Sequence, residues 1–210
     1  LDRSAFSQDA LRILEAASAH IGPAVEGALR FREAEETAAR DHLTGVANAR
    51  ALAAYLDREL PRAGREQSRV GLVVCDLDGF KQVNDSFGHL TGDEVLRTVA
   101  TGLRKACRGS DFVARIGGDE FVIVLPGLRE DPSAQLARLH DVAVEAGVAV
   151  CGERCLSMSA GLAVYPDDGH DAESLIARAD QRMYQRKHGN RSKIERAGTA
   201  AHGSEPAADD

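Results

Sequence analysis

Carboxylates at the ends of apolar runs, each close to a lysine or a glycine pair, are the residues of this chain best placed to do chemistry. Residues 70–76, Val-Gly-Leu-Val-Val-Cys-Asp, form a buried-strand pattern closing in Asp76, and Leu77-Asp78-Gly79-Phe80-Lys81 follows at once. A second stretch reads Arg115-Ile116-Gly117-Gly118-Asp119-Glu120-Phe121, between a strand-like Phe112–Ile116 and an apolar Phe121–Leu125. Gly117 and Gly118 permit a tight reversal, so the stretch is expected to be a hairpin tip with Asp119 and Glu120 at the mouth of an apolar strand. Alone, a Gly-Gly-Asp is an ordinary polar turn. Two strands that each deliver a carboxylate, one followed by a lysine, point instead to a divalent cation and a phosphate. No G-x-x-x-x-G-K-[ST] occurs. A triphosphate would therefore be held by a metal, backbone N–H groups and a few cations.

The chain resembles the GGDEF family, the diguanylate cyclases. The resemblance rests on Gly117 to Phe121, on Asp76-x-Asp78-x-Phe80-Lys81-x-x-Asn84-Asp85, on Phe87-Gly88-His89-x-x-Gly92-Asp93 and on Asp41-x-Leu43-Thr44-Gly45. It covers roughly residues 41–192, and several motifs in the right order are far more specific than any one of them. It implies Mg²⁺ (or Mn²⁺) on Asp76, Asp119, Glu120 and the Leu77 carbonyl, with Glu120 either touching the metal or helping to deprotonate a 3′-hydroxyl. It puts the triphosphate of GTP on the amides of Gly79 and Phe80, with Lys81 as a point charge. Asn84 and Asp93 match the family's guanine readers. A carboxylate accepts from the guanine N1–H and N2–H₂, a donor pair that adenine lacks. Asp93 could instead, or also, cap its helix.

Lys187 and Arg191 match two further basic positions that the family sets on the triphosphate, although Lys187-His188-Gly189-Asn190-Arg191 carries its glycine one place early. On residue type alone they are equally cations at a helix C-terminus. Arg108-Gly109-Ser110-Asp111 lies at the offset of the family's R-x-x-D product-inhibition site, where arginine grips guanine or phosphate and aspartate accepts from guanine. Asp78 and Asp85 match the motif without an assigned role, and His89 reads as structural.

The elements that must position these groups follow from periodicity. Ala49–Leu60 is an amphipathic helix with Leu52, Tyr55, Leu56 and Leu60 on one face, and 62–68 a polar connector. Phe80, Val83 and Phe87 mark a short helix closed by 88–92, and Val95, Leu96, Val99 and Leu103 are the core face of the next. Leu136, Leu139, Val142 and Ala146 define a helix from 131–133 onward; strands are expected at Gly147–Cys151 and Leu156–Tyr165. Ala172–Lys187 closes the fold with Leu175, Ile176, Ala179 and Met183 inward. The pattern predicts an α/β (α+β) sandwich of helices over a mostly antiparallel sheet. The resemblance sharpens it to the palm-like nucleotide-cyclase fold, domain 41–196, with a disordered tail at 197–210.

Upstream, Leu11, Leu14, Ile21, Val25 and Ala28 form a coiled-coil-like seam with Ser18 in the remaining position, broken at Gly22-Pro23. Residues 1–40 are read either as a helical signalling stalk, resembling the end of a GAF-type sensor domain, or as a helix docked on its own domain. Leu1 in place of Met suggests a piece of a longer, sensor-fused protein.

The 210 residues carry a net charge of −7 and 43% hydrophobic side chains. That suits one good core and argues against a general nucleic-acid surface. No apolar run reaches the ~18–20 residues of a membrane span, and no signal peptide is visible, so a cytoplasmic location is expected. Cys75, Cys107, Cys151 and Cys155 form no C-x-x-C pair and read as reduced thiols, with Cys75 as strand packing and Cys151 and Cys155 able to face each other across a turn. The resemblance implies a cyclase that condenses two GTP into cyclic di-GMP across a homodimer under product inhibition. The alternative is an inactive receptor for cyclic di-GMP through Arg108 and Asp111.

Overall fold

The computed structural model describes Val25, residues 38–128 and residues 132–201, beyond His188 by backbone alone. The expected seam from Leu11 to Ala28 lies outside these residues except for Val25, as do residues 202–210 of the tail expected from 197.

The elements run β1 (Ala47–Asn48), α1 (Ala49–Glu66), β2 (Val70–Asp78), α2 (Phe80–Phe87), α3 (His89–Ala106), β3 (Phe112–Gly117), β4 (Glu120–Pro126), α4 (Ser133–Cys151), β5 (Ser157–Tyr165) and α5 (Ala172–Ala201). The sheet order is β1-β3-β4-β2-β5, parallel only between β1 and β3 and antiparallel elsewhere. This is the expected α/β sandwich with a mostly antiparallel sheet.

Because side chains alternate along a strand, the sheet separates two cores. Val73, Cys75, Leu77, Phe121 and Ile123 face α3 and α4, where they meet Val95, Val99, Leu103 and Leu139. Leu72, Val74, Val122 and Val124 face α1 and α5, where they meet Leu52, Leu56, Leu175 and Ala179. Phe121, which follows the two hairpin carboxylates, is fully buried. Truncating it to alanine would cost about 3–5 kcal/mol. Asp119 in the turn and Glu120 at the start of β4 thus stand next to a strand anchored by its core side chains.

Three expected boundaries are corrected. Helix α1 does not stop at Leu60 but passes Pro61 to Glu66, and only at Gln67 (φ 50°) does the chain turn out. Its apolar stripe of Leu52, Leu56 and Leu60 continues to a fully buried Ala63, so packing outweighs the proline. Gly147–Cys151 is not a strand but the last turns of α4. A short apolar run carries no period of its own, and a Cβ on buried Gly147 would stand 3.3 Å from Leu156, so the glycine lets the helix end lie against the chain entering β5. Residues 88–92 are not a closing loop: α3 begins at His89 with Gly88 as its cap, so Asp93 lies in the second turn and is not an N-cap.

Candidate active site

Strand β2 carries Asp76 and Asp78 on the face turned towards α1 and α5. In the ladder Asp76 stands opposite Glu120 of β4 on one side and Ser159 of β5 on the other. The Leu77 amide donates to the carbonyl of Asp119, 3.3 Å away, which ties the hairpin turn to the end of β2. From α5, Lys187 bonds to Asp76 Oδ1, and its ammonium lies 3.9 Å from Asp78 Oδ1. Asp78 accepts from the hydroxyls of Ser159 at 2.6 Å and Ser157 at 3.3 Å.

The charges explain how the site is poised. Burial and then the neighbouring Asp76 push the Asp119 carboxyl above its ordinary value. Burial, Asp76, Asp119 and Asp180 do the same to Glu120. Burial pulls the Lys187 ammonium down, but the bond to Asp76 and the charges of Asp76, Asp78 and Asp119 outweigh it, so its net shift is upward. Carboxylates that crowd one another this way gain from a cation between them. Among the described residues no three acidic, histidine or cysteine side chains close into a cage. An open set of hard oxygen donors matches Mg²⁺, which keeps waters and takes substrate oxygens as ligands.

Gly79 turns the chain from β2 into α2 with φ 90°, and a Cβ there would meet the Cys155 carbonyl at 2.3 Å. The close approach demands glycine and leaves the first amides of α2 at the end of the strand that bears Asp76. Lys81, in that first turn, is exposed. Asn84 lies against buried Gly92 of α3: a Cβ on Gly92 would fall 2.0 Å from Asn84 Oδ1 and 3.4 Å from the Phe80 ring. Asn84, Phe80 and the turn leading into Asp93 are therefore one corner. The side chain of Arg191 lies outside the described residues, with its backbone in α5.

Sequence reasoning missed Arg115. Its Nη1 reaches Asp41 at 2.9 and 3.2 Å, while Nε and Nη2 hold the Gly118 carbonyl at 2.9 and 2.7 Å. Asp41 also accepts from the Thr44 amide at 2.9 Å. Burial alone would raise its carboxyl, but Thr44 and Arg115 hold it below the usual value. The opening motif and the hairpin turn are thus clamped together. The visible signal was an arginine two residues ahead of the glycine pair.

Arg108 and Asp111 are not near these carboxylates. They line a cleft of about 210 Å³ at the far end of β4, with Leu125, Pro126, Gln135 and Arg138. Asp111 accepts from the Arg108 amide at 2.8 Å, so the motif is a turn closed by its own carboxylate. Arg138, also missed, is held by Gln135, whose amide donates to the Ala106 carbonyl at 3.3 Å. It comes from α4, and no sequence spacing linked it to the cleft.

A conserved-family model, "Diguanylate cyclase, GGDEF domain", matches residues 38–193. The chain belongs to this family. It is 38% identical over 172 residues to the diguanylate cyclase DgcP of Pseudomonas aeruginosa, covering 79% of this chain and 25% of that protein. With the diguanylate cyclase DosC of Escherichia coli it shares 39% over 159 residues, covering 74% and 34%. The chain therefore spans about a quarter to a third of the length of these curated relatives. Among solved structures, the coiled coil and GGDEF domain of DgcB from Caulobacter crescentus in complex with c-di-GMP aligns with TM-score 0.68 and 30% identity, over 84% of this chain and 95% of that one. Diguanylate cyclase SiaD from Pseudomonas aeruginosa, solved with its activator SiaC, aligns with TM-score 0.68 and 33% identity, over 85% and 70%.

Proposed function

We propose that this chain is a diguanylate cyclase, which joins two GTP molecules into cyclic di-GMP and releases two pyrophosphates. The observation that carries this is the meeting of Asp76, Glu120 and Lys187, from three elements, at the strand end where α2 begins. Asp76, Asp119, Glu120 and the Leu77 carbonyl are the residues to hold Mg²⁺ or Mn²⁺. The ion would supply charge neutralisation on the phosphates and lower the pKa of a coordinated hydroxyl.

The chain's own groups do the rest. The amides of Gly79 and Phe80 and the cations Lys81, Lys187 and Arg191 hold the triphosphate, so that its α-phosphorus faces an incoming 3′-oxygen in line. Asn84, set against Gly92, and Asp93 read the guanine edge. Glu120, its carboxyl raised by burial and by its acidic neighbours, is suited to receive the 3′-hydroxyl proton or to share the ion. One domain holds one GTP, so two copies must face each other. The DgcB chain, with its coiled coil, supports reading residues 1–40 as the stalk that sets this geometry, in a longer, sensor-fused cytoplasmic protein. Arg108, Asp111 and Arg138 form the product site. Its cleft is smaller than the ~300–1,000 Å³ of enclosed ligand pockets and offers an edge to grip.

Incubation with GTP and Mg²⁺ tests the reading by mass spectrometry. Cyclic di-GMP and pyrophosphate should appear in a 1:2 ratio, set by the reaction itself. Binding of cyclic di-GMP without turnover would replace the cyclase with the receptor reading.

A further inference from the structure

Asp78 belongs to the same motif as Asp76 and was left without a role by the sequence. Its surroundings assign one. Both carboxylates lie on one face of β2, two residues apart, and Lys187 reaches towards both, bonding to Asp76 and standing 3.9 Å from Asp78. The carboxylate of Asp78 is fixed from the side by β5, where buried Ser159 donates at 2.6 Å and Ser157 at 3.3 Å. Two hydroxyl donors on one oxygen fix the orientation of this carboxylate beside the Lys187 ammonium. A lysine stem has four rotatable bonds, and its ammonium goes where the nearest counter-ions send it.

We propose that Asp78 is a positioning residue for Lys187. Anchored by the two serines of β5, it gives the ammonium a second counter-ion, so that Lys187 does not settle wholly on Asp76. The inference rests on the cyclase reading, in which Asp76 takes a cation and Lys187 a phosphate. Asp78 lets one lysine serve next to a metal ligand without displacing the metal. A lysine with Asp76 as its sole partner would compete with the cation for that carboxylate.

The test is Mn²⁺ binding to the nucleotide-free protein, followed by the electron paramagnetic resonance of the free ion. Asp78→Asn keeps an acceptor for both serines and removes the charge. It should weaken Mn²⁺ binding about fivefold, because Lys187 then commits to Asp76. In a Lys187→Met background the same change should alter binding less than twofold, since no lysine remains to redirect. Ser159→Ala should move the affinity in the same direction by a smaller factor, with melting temperature as the check on folding. An equal loss in both backgrounds would mean that Asp78 acts on the ion directly and would overturn the positioning role. So would unchanged affinity in Asp78→Asn. Failure of the unaltered protein to bind Mn²⁺ would overturn the metal reading itself, and this inference with it.

Discussion

At one end of β4, Glu120 stands beside Asp76 and Asp119 with Lys187 as their cation; at the other, Pro126 and Gly127 line a cleft whose charged side chains are Arg108, Asp111 and Arg138. Seven strand residues put the two ends roughly 20 Å apart. The first end has more carboxylates than cations and suits a cation. The second has more arginines than carboxylates and suits an anion. The strand between them is fully buried from Phe121 to Val124. The two sites therefore share a buried spine while differing in sign, in keeping with the proposed metal-bound nucleotide at one end and the proposed phosphodiester product at the other.

Asp119→Ala strikes the first end alone and should have the largest effect. Turnover should fall on the order of 10³-fold, because a hard-cation ligand is lost where charge develops. Calorimetry should find cyclic di-GMP affinity at the far cleft unchanged. Near-parental turnover would remove Asp119 from the metal site.

Arg138→Ala is the mirror experiment. Loss of a charge-assisted contact of ~1.5–3 kcal/mol should weaken cyclic di-GMP binding roughly 10- to 100-fold and raise the final product yield. If Arg108→Ala weakens binding and Arg138→Ala does not, the cleft ends at the turn and α4 has no part in it.

Arg115→Met tests whether the first end needs its clamp. Asp41 and Arg115 are nearly buried, with 14% and 11% of their side chains exposed, so the change should cost about 3 kcal/mol in denaturant unfolding. The sign with pH follows from the depressed Asp41 carboxyl. Its stabilisation is complete above the unfolded value of about 3.8 and is lost as pH falls through the lower folded value. The unaltered protein should lose this part of its stability in acid, and Arg115→Met should show a smaller step, since the Thr44 bonds to Asp41 remain.

Gly92→Ala should act most locally. Its Cβ displaces Asn84, so the KM for GTP should rise about tenfold with kcat less affected, as expected when a base-reading contact is misplaced. Equal losses in both constants would mean that the corner acts in the transition state.

How legible all this was in the sequence depended on distance along the chain. The hairpin was readable because its glycines, its carboxylates and both flanking strands are contiguous. The short helix after Asp78 was readable for the same reason. The ends of α1 and α4 were misjudged because each depends on what a helix packs against: Ala63 and Gly147 are buried by remote elements, and no local propensity records that.

By itself the sequence determined the family and the α/β architecture, and it singled out Asp76, Asp119 and Glu120, which the structure brings together, since these follow from contiguous motifs and from period-2 and period-3.6 patterns. Only the tertiary structure decided that Lys187 reaches both Asp76 and Asp78, that β5 serines hold Asp78, that Arg115 clamps Asp41 to the hairpin turn and that Arg138 joins Arg108. Each of these pairings spans from 30 to 111 residues of chain. Their partners are chosen by which faces of the sheet and helices are buried together, and an ion pair leaves no periodic trace in either of the segments it joins.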